Sequence, residues 1–357
     1  MSKHYIIPIF VPHLGCPHDC IFCNQRKIAS SLEDITEGDI RDTIERYLSY
    51  FKEDSFIEIA FYGGSFTAID IEKQKSFLNI ALEYKDKGVV DEIRLSTRPD
   101  AINDSILLHL EDYKVDTIEL GVQSLCDDVL YKSGRGHNTK DVYQAVELIR
   151  NYNFKLGLQM MIGLPGDTFE RSLFTARKFI DLKPECVRIY PTLVIKDTAL
   201  ESLRSENKYI PLTLNKAVQW CTYLLVEFYT NDINVIRVGL QPTENIQLGK
   251  DVVDGPFHPA FKQLVESNIF KIVLSNYIDS TNIETNGKVL KIYSNSKNIS
   301  DIAGQKSKNI DFLKSNYNFK DVKVYSKKMF KNILGIEIES YFTSINIFNE
   351  MKKIKRK

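Results

Sequence analysis

The chain has 357 residues, 43% of them hydrophobic, with 47 basic and 47 acidic side chains. That is enough apolar material to bury a full core in one large domain plus a smaller one, and it excludes a disordered chain. The charge balance removes any global basic field that would advertise nucleic acid. No run of about 18 apolar residues offers a membrane span and the N-terminus lacks an apolar signal core, so a soluble cytoplasmic protein with no membrane partner is expected.

In chain order, the apolar, β-branched run Tyr5 to Val11 reads as a buried strand that enters a functional loop. The loop, His13-Leu-Gly-Cys-Pro-His-Asp-Cys-Ile-Phe-Cys23, carries thiols at Cys16, Cys20 and Cys23. A 4Fe-4S cube is normally held by four thiolates, so three in one short loop leave one iron open to a substrate or cofactor. Gly15 relaxes the entry turn and Pro17 stiffens it. A structural zinc site would instead need a fourth ligand, His13 or His18, to close its tetrahedron. Six unevenly spaced cysteines without a signal peptide offer no disulfide framework.

Glu37 to Phe51 follows with helical spacing of Ile40, Ile44 and Leu48, then an apolar strand, Phe56 to Tyr62. The alternation repeats: helix over Glu72 to Tyr84, strand Glu92 to Ser96, helix Asn103 to Tyr113 and strand Thr117 to Val122. Two further rounds give helix Asp141 to Tyr152, strand Lys155 to Ile162, helix Arg171 to Leu182 and a sixth strand, Val187 to Tyr190. Such units imply a parallel sheet with right-handed crossovers, here an α/β fold with a partial (β/α)6 TIM-type barrel. Thr213 to Asn231, with the only tryptophan, Trp220, reads as a long helix closing the barrel's side, and Val235 to Leu240 as one further strand. The core is expected over 1–255 and a small mixed α+β C-terminal domain over 256–357, with short apolar runs Lys288 to Tyr293 and Val322 to Tyr325. From Ser296 to Lys357 the count is 14 basic to 6 acidic, ending in a basic tail that reads as a solvated face or an RNA contact.

Barrel active sites gather at the C-terminal ends of the strands, and conspicuous residues recur there. Gly63-Gly64-Ser65-Phe66-Thr67 follows the second strand, where paired glycines admit close backbone approach to a ligand. Thr97-Arg98-Pro99-Asp100 follows the third and holds a cation and an anion in fixed positions, for a ligand or for a helix cap. Gly121-Val122-Gln123-Ser124 follows the fourth, with Gly134-Arg135-Gly136-His137 beyond it. Gln123 both donates and accepts hydrogen bonds, and Arg135 suits a carboxylate clamp. The fifth strand carries a lone amide, Gln159, and ends at Met161-Ile162-Gly163-Leu164-Pro165-Gly166, with Asp167 or Thr168 as the next helix cap. Cys126, Cys186 and Cys221 read as small buried hydrophobes, with Cys126 the one to test as a substrate-facing thiol. His258 reads as structural, and Tyr190 and Arg237 as packing or substrate contacts.

Cys16-x-x-x-Cys20-x-x-Cys23 together with Gly63-Gly64-Ser65-Phe66, Gly121-Val122-Gln123-Ser124 and Gly163-Leu164-Pro165-Gly166 resembles the radical S-adenosylmethionine superfamily. Thr97-Arg98-Pro99-Asp100 and Arg237-Val238-Gly239-Leu240-Gln241-Pro242-Thr243 add a resemblance to the radical domain of the Elongator catalytic subunit, over about Tyr5 to Phe261. The resemblance implies a 4Fe-4S cluster on Cys16, Cys20 and Cys23 and S-adenosyl-L-methionine chelated to the open iron, cleaved to a 5'-deoxyadenosyl radical that abstracts hydrogen. It further implies that Gly63, Gly64 and Ser65 meet the methionine amino group, Arg135 its carboxylate, Gln123 and Gln159 the ribose, and Phe22 and Met161 the adenine. A reductant such as a flavodoxin or ferredoxin and a tRNA substrate are the implied partners. Gln159 departs from the acid of porphyrin-acting members, and after Phe261 no glycine-rich loop opens a helix to cradle coenzyme A. A coproporphyrinogen oxidase-like enzyme and a non-catalytic cluster- or metal-binding module are the alternatives.

Overall fold

A computed structural model describes residues 3–11, 20–24, 35–52, 54–241, 245–281 and 283–354. His13, Gly15, Cys16, Pro17 and His18 of the cysteine loop lie outside the described residues, as do Pro242, Thr243 and the tail residues Lys355, Arg356 and Lys357. In chain order the elements begin β1 (His4–Val11), α1 (Glu37–Leu48), β2 (Phe56–Gly63), α2 (Ile71–Asp86), β3 (Glu92–Thr97), α3 (Asp104–Asp112) and β4 (Thr117–Gln123). They continue α4 (Asp127–Lys132), α5 (Thr139–Asn151), β5 (Lys155–Ile162), α6 (Phe169–Asp181), β6 (Cys186–Pro191), β7 (Val194–Ile195) and α7 (Ala199–Ser205). The rest are α8 (Leu214–Tyr229), β8 (Val235–Val238), β9 (Val252–Asp254), α9 (Phe261–Asp279), β10 (Val289–Ser294), α10 (Ile299–Ala303), α11 (Lys308–Tyr317), β11 (Asp321–Ser326), β12 (Ile333–Ile338), β13 (Tyr341–Asn346) and α12 (Ile347–Ile354).

The chain forms two compact units, 1–212 with 240–257, and 213–239 with 258–357. In the first, β1 to β6 lie side by side in sequential order, each parallel to the next. This is the expected partial barrel. Sequential parallel order follows from helical crossovers too short to skip a strand. The helices start where side chains replace missing backbone partners: Thr36 and Asp39 make a reciprocal capping box on α1, Asn138 and Asp141 another on α5, and Thr168 caps α6.

Strand parity divides the sheet's two faces. One set, including Ile59, Phe61, Ile93, Leu95, Ile118, Leu120, Leu158, Met160, Val187 and Ile189, is buried and apolar. The other set, reading Glu58, Arg94, Glu119, Gln159 and Arg188, is polar and linked across the strands. Arg94 pairs with Glu58 and with Glu119 at 2.8 Å each, and Arg188 grips both oxygens of Glu119 at 2.6 and 2.9 Å. Gly157 makes room for this: a Cβ there would stand 2.7 Å from Glu119 Cγ. Burial alone would raise the Glu119 carboxyl, but Arg188 and Arg94 hold it below its ordinary value.

The second unit differs from the expected boundary at 255/256, because α8 groups with the C-terminal part. The reason is helix pairing: Asn268 of α9 donates to Thr222 of α8 at 3.0 Å, and Tyr229 of α8 to Glu266 of α9 at 2.6 Å. The same unit holds the small mixed sheet, ordered β11-β10-β12-β13, with β10 parallel to β11 and the other pairs antiparallel. His258 serves local structure there, its Nδ1 accepting from the Ala260 amide at 3.0 Å.

Candidate functional site

The ends of β1 to β5 carry the site. Gly63, closing β2, adopts φ +110°, and a Cβ there would lie 2.9 Å from the Val11 carbonyl, so only glycine lets β2 end against the strand that leads into the cysteine loop. The next amide, Gly64, donates to that carbonyl at 2.8 Å. Ser65 is buried, accepts from the Arg98 amide at 3.1 Å and bonds the Thr97 hydroxyl at 3.0 Å, tying the loops after β2 and β3 together.

Arg98 and Asp100, the fixed cation and anion, pair with each other: Nε and Nη2 meet the two carboxylate oxygens at 2.9 and 3.0 Å. Burial alone would raise the Asp100 carboxyl, yet this fork holds it below its ordinary value. Arg98 also donates to the Arg135 carbonyl and points Nη1 toward Cys20 Sγ at 3.9 Å.

Arg135 completes the convergence. Its Nη1 lies 3.3 Å from Cys20 Sγ and its Nη2 donates to the Gly121 carbonyl at 2.6 Å, while its Nε is buried with no hydrogen-bond partner among the described residues. Cys20 is itself buried, and the Cys23 amide donates to its carbonyl at 3.0 Å. Gln123 ends β4 at φ +67° beside a register shift, with Oε1 also buried and unpartnered among the described residues. A non-glycine residue held there is strained, a condition concentrated at ligand sites. Gly121 leaves the space: a Cβ would meet Gln123 Nε2 at 3.1 Å.

His137 underpins this corner. Its Nε2 faces the Val122 carbonyl at 3.3 Å and its Nδ1 has no hydrogen-bond partner among the described residues, which assigns the proton to Nε2. Burial, with Arg135 adding to it, pushes the imidazole down to about 3, so it is neutral in the fold. Asp167 does not cap α6; Thr168 does. The Asp167 carboxylate instead accepts from the Gly163 amide at 2.8 Å and the Ser172 hydroxyl at 2.7 Å, and burial raises it to about 6 despite both bonds.

The remaining expected residues sit as follows. Gln159 donates to Glu119 at 2.8 Å and to Ser96 at 3.1 Å, within the polar network. Met161 is half-buried on β5, in register with Tyr190. Phe22 packs against the cluster of Val194, Leu200 and Tyr209. Cys186 and Cys221 are buried with thiols raised by burial, as befits small hydrophobes, and the half-buried Cys126 thiol is raised by the same cause. The sequence reading missed Glu58, Arg94, Glu119 and Arg188, whose signal is one charge at an alternate position in each apolar strand. No described helix is long and apolar enough to cross a membrane.

Parallel strands whose C-terminal ends gather glycines, two converging guanidiniums and a buried cysteine define a partial-barrel, cofactor-binding enzyme of the cysteine-loop class. The comparisons with known proteins agree. Residues 10–177 match the Radical SAM superfamily and residues 184–271 the Radical_SAM C-terminal domain. The chain belongs to the radical S-adenosylmethionine superfamily and is an enzyme of it, for which an iron-sulfur cluster and S-adenosylmethionine are the implied cofactors. It is 29% identical to the uncharacterized protein MJ0486 of Methanocaldococcus jannaschii, over 65% of this chain and 76% of that one. It is 30% identical to a tRNA uridine(34) acetyltransferase of Dehalococcoides mccartyi over 43% of this chain, spanning 38% of that protein's length. Its fold matches the archaeal Methanocaldococcus infernus Elp3 with a TM-score of 0.63 at 21% identity, covering 76% of this chain and 63% of that one. The resemblance to the Elongator radical domain therefore extends to the fold.

Proposed function

We propose that the chain holds a 4Fe-4S cluster on Cys16, Cys20 and Cys23, binds S-adenosylmethionine at the strand ends, and modifies a nucleoside of tRNA. The observation that carries this is the pair of unspent groups at the strand ends: a buried donor, Nε of the Arg135 that reaches Cys20, and a buried acceptor, Gln123 Oε1. Leaving such groups unpaired costs about 1–3 kcal/mol each, which a carboxylate and a ribose hydroxyl would recover. Arg98 and Arg135 beside Cys20 Sγ are the electrostatic complement of a thiolate-held cluster. When bound, the cluster supplies the electron that splits the sulfonium into methionine and a 5'-deoxyadenosyl radical, with a flavodoxin or ferredoxin as its source.

This chain's residues then orient and shield. Arg135 would hold the methionine carboxylate, the Gly63, Gly64 and Ser65 turn its amino group, and Gln123 the ribose. Met161 and Phe22 would border the adenine, and Gln159, fixed by Glu119, would face the ribose. The tRNA substrate draws support from the relatives whose names carry tRNA uridine chemistry. Anaerobic reconstitution with iron and sulfide, reduction and quantification of 5'-deoxyadenosine test the cofactor reading. Wild type is expected to form it and Cys20→Ala to form none; equal cleavage by Cys20→Ala would overturn the cluster assignment. Unmodified tRNA is expected to yield a new nucleoside mass, and an unchanged nucleoside profile sinks the substrate reading.

A further inference from the structure

The sheet β11-β10-β12-β13 of the second unit turns one face inward, with Leu290, Ile292, Val322, Leu334, Ile336, Ile338 and Ile345 buried. Its other face is aromatic and basic. Register sets Tyr325, Tyr293 and Gly335 in one row across the strands, and Lys323, Lys291, Glu337 and Phe342 in the next. Tyr293 and Tyr325 stack with ring centroids 5.4 Å apart at 21°, and Phe342 meets Tyr293 edge-on at 6.3 Å. Gly335 keeps the floor open between them, since a Cβ there would lie 3.3 Å from Tyr293 Cβ and 3.4 Å from the Phe342 ring.

The outer rings face solvent: Tyr325 is 40% exposed, Phe342 55%, and Phe330, in the adjoining loop between β11 and β12, 82%, while Tyr293 is half-buried among them. The chain segment beside them is rich in lysine. Residues 320–331 contain Lys320, Lys323, Lys327, Lys328 and Lys331 against one acid, Asp321. Lys327 Nζ stands 5.5 Å from the Tyr293 ring centroid, a cation–π contact. Of the acids on the face, Glu337 accepts from Lys291 and from the Tyr293 hydroxyl at 2.7 Å each, and Asp321 pairs with Lys314 at 3.1 Å and Lys323 at 3.8 Å, so both charges are answered in place.

Exposed rings on a sheet, beside a lysine-rich loop, match a ligand that offers flat π faces at intervals and a negative charge beside each one. An apolar peptide would cover the rings and leave the lysines unanswered; a paired helix hides its base faces. We propose that this outer face binds single-stranded RNA, bases stacking on Tyr325 and Phe342 and phosphates meeting Lys327 and Lys328. The choice of RNA over DNA rests on the tRNA-substrate reading; the platform itself does not.

The test uses the full-length, cluster-loaded protein and a short fluorescent single-stranded RNA of mixed sequence, followed by anisotropy across a salt series, with the DNA of the same sequence and the RNA duplex alongside. Wild type is expected to prefer the single-stranded RNA to both. Tyr325→Ala with Phe342→Ala should weaken binding roughly ten-fold or more. Lys327→Gln with Lys328→Gln should flatten the log K against log salt slope by about 1.4, the share of two phosphate contacts. Both variants should form 5'-deoxyadenosine like wild type. RNA binding unchanged in both pairs, or none by wild type at low salt, overturns the platform, even where tRNA is still modified. Tighter binding to DNA overturns the choice of RNA. Self-association abolished by the aromatic pair assigns the face to a second copy instead. Should the aromatic pair fail to fold, the lysine pair, on exposed side chains, decides. Platform binding without any 5'-deoxyadenosine would overturn the cofactor reading alone.

Discussion

Arg135 shows how one side chain joins two parts of the site, since the same guanidinium reaches Cys20 Sγ and the Gly121 carbonyl. Lysine keeps the charge but has no planar fork. Arg135→Lys is therefore expected to weaken S-adenosylmethionine binding about ten-fold or more, the worth of a charge-assisted pair, while iron content stays near wild type; calorimetric titration and iron analysis check both. His137 carries a pH prediction. Its folded pKa of about 3 lies below the ordinary value of 6.5, so the unfolded chain takes the proton first. Stability is then full above 6.5 and falls as pH drops toward 3, at about 1.4 kcal/mol per pH unit for one proton. His137→Gln, which keeps a donor for Val122, should remove that part of the acid slope in urea titrations of the apoprotein. The sequence showed Gly134-Arg135-Gly136-His137 as a loop suited to a carboxylate, but the orphaned Nε and the neutral histidine appear only once the loop is packed.

Elements of the barrel were largely legible. Continuous apolar runs located β2 to β6 within a residue or two, and helical spacing located α1, α2, α3, α5 and α6. The short helices α4 and α7 escaped, because six or seven residues hold too few turns for a periodic signal. The cap of α6 was open between two polar residues, and packing chose: Asp167 had the buried Gly163 amide to satisfy, leaving Thr168 to the helix. At the end of β2 the tight approach to β1 yields a further expectation. Gly63→Ala should cost about 1–3 kcal/mol in denaturant unfolding and lower cluster incorporation, because the strained φ and the Val11 carbonyl both oppose a Cβ. Gly88→Ala, at φ +69° with no atom within 4 Å of the added Cβ, meets only backbone strain and should cost less and leave the cluster unaffected.

For the molecule as a whole, the polar interior of the barrel is the feature to probe. Arg188→Met leaves Glu119 buried with one fewer cation, and removing one partner of a buried pair costs about 3–5 kcal/mol. Adding Glu119→Gln removes the stranded charge, so the double variant should recover part of that loss; chemical unfolding of the single and double variants measures it. By itself the sequence determined what local chemistry determines: the cysteine spacing, the alternation of strands and helices, and the polar residues at strand ends. Only the tertiary structure decided which charges meet. Glu58, Arg94, Glu119 and Arg188 become a network through register between strands 25 to 69 positions apart, and Arg135 reaches Cys20 across 115. The grouping of α8 with α9 has the same origin. Such contacts depend on backbone positions set by the packing of the whole sheet and its helices, which no window of neighbouring residues encodes.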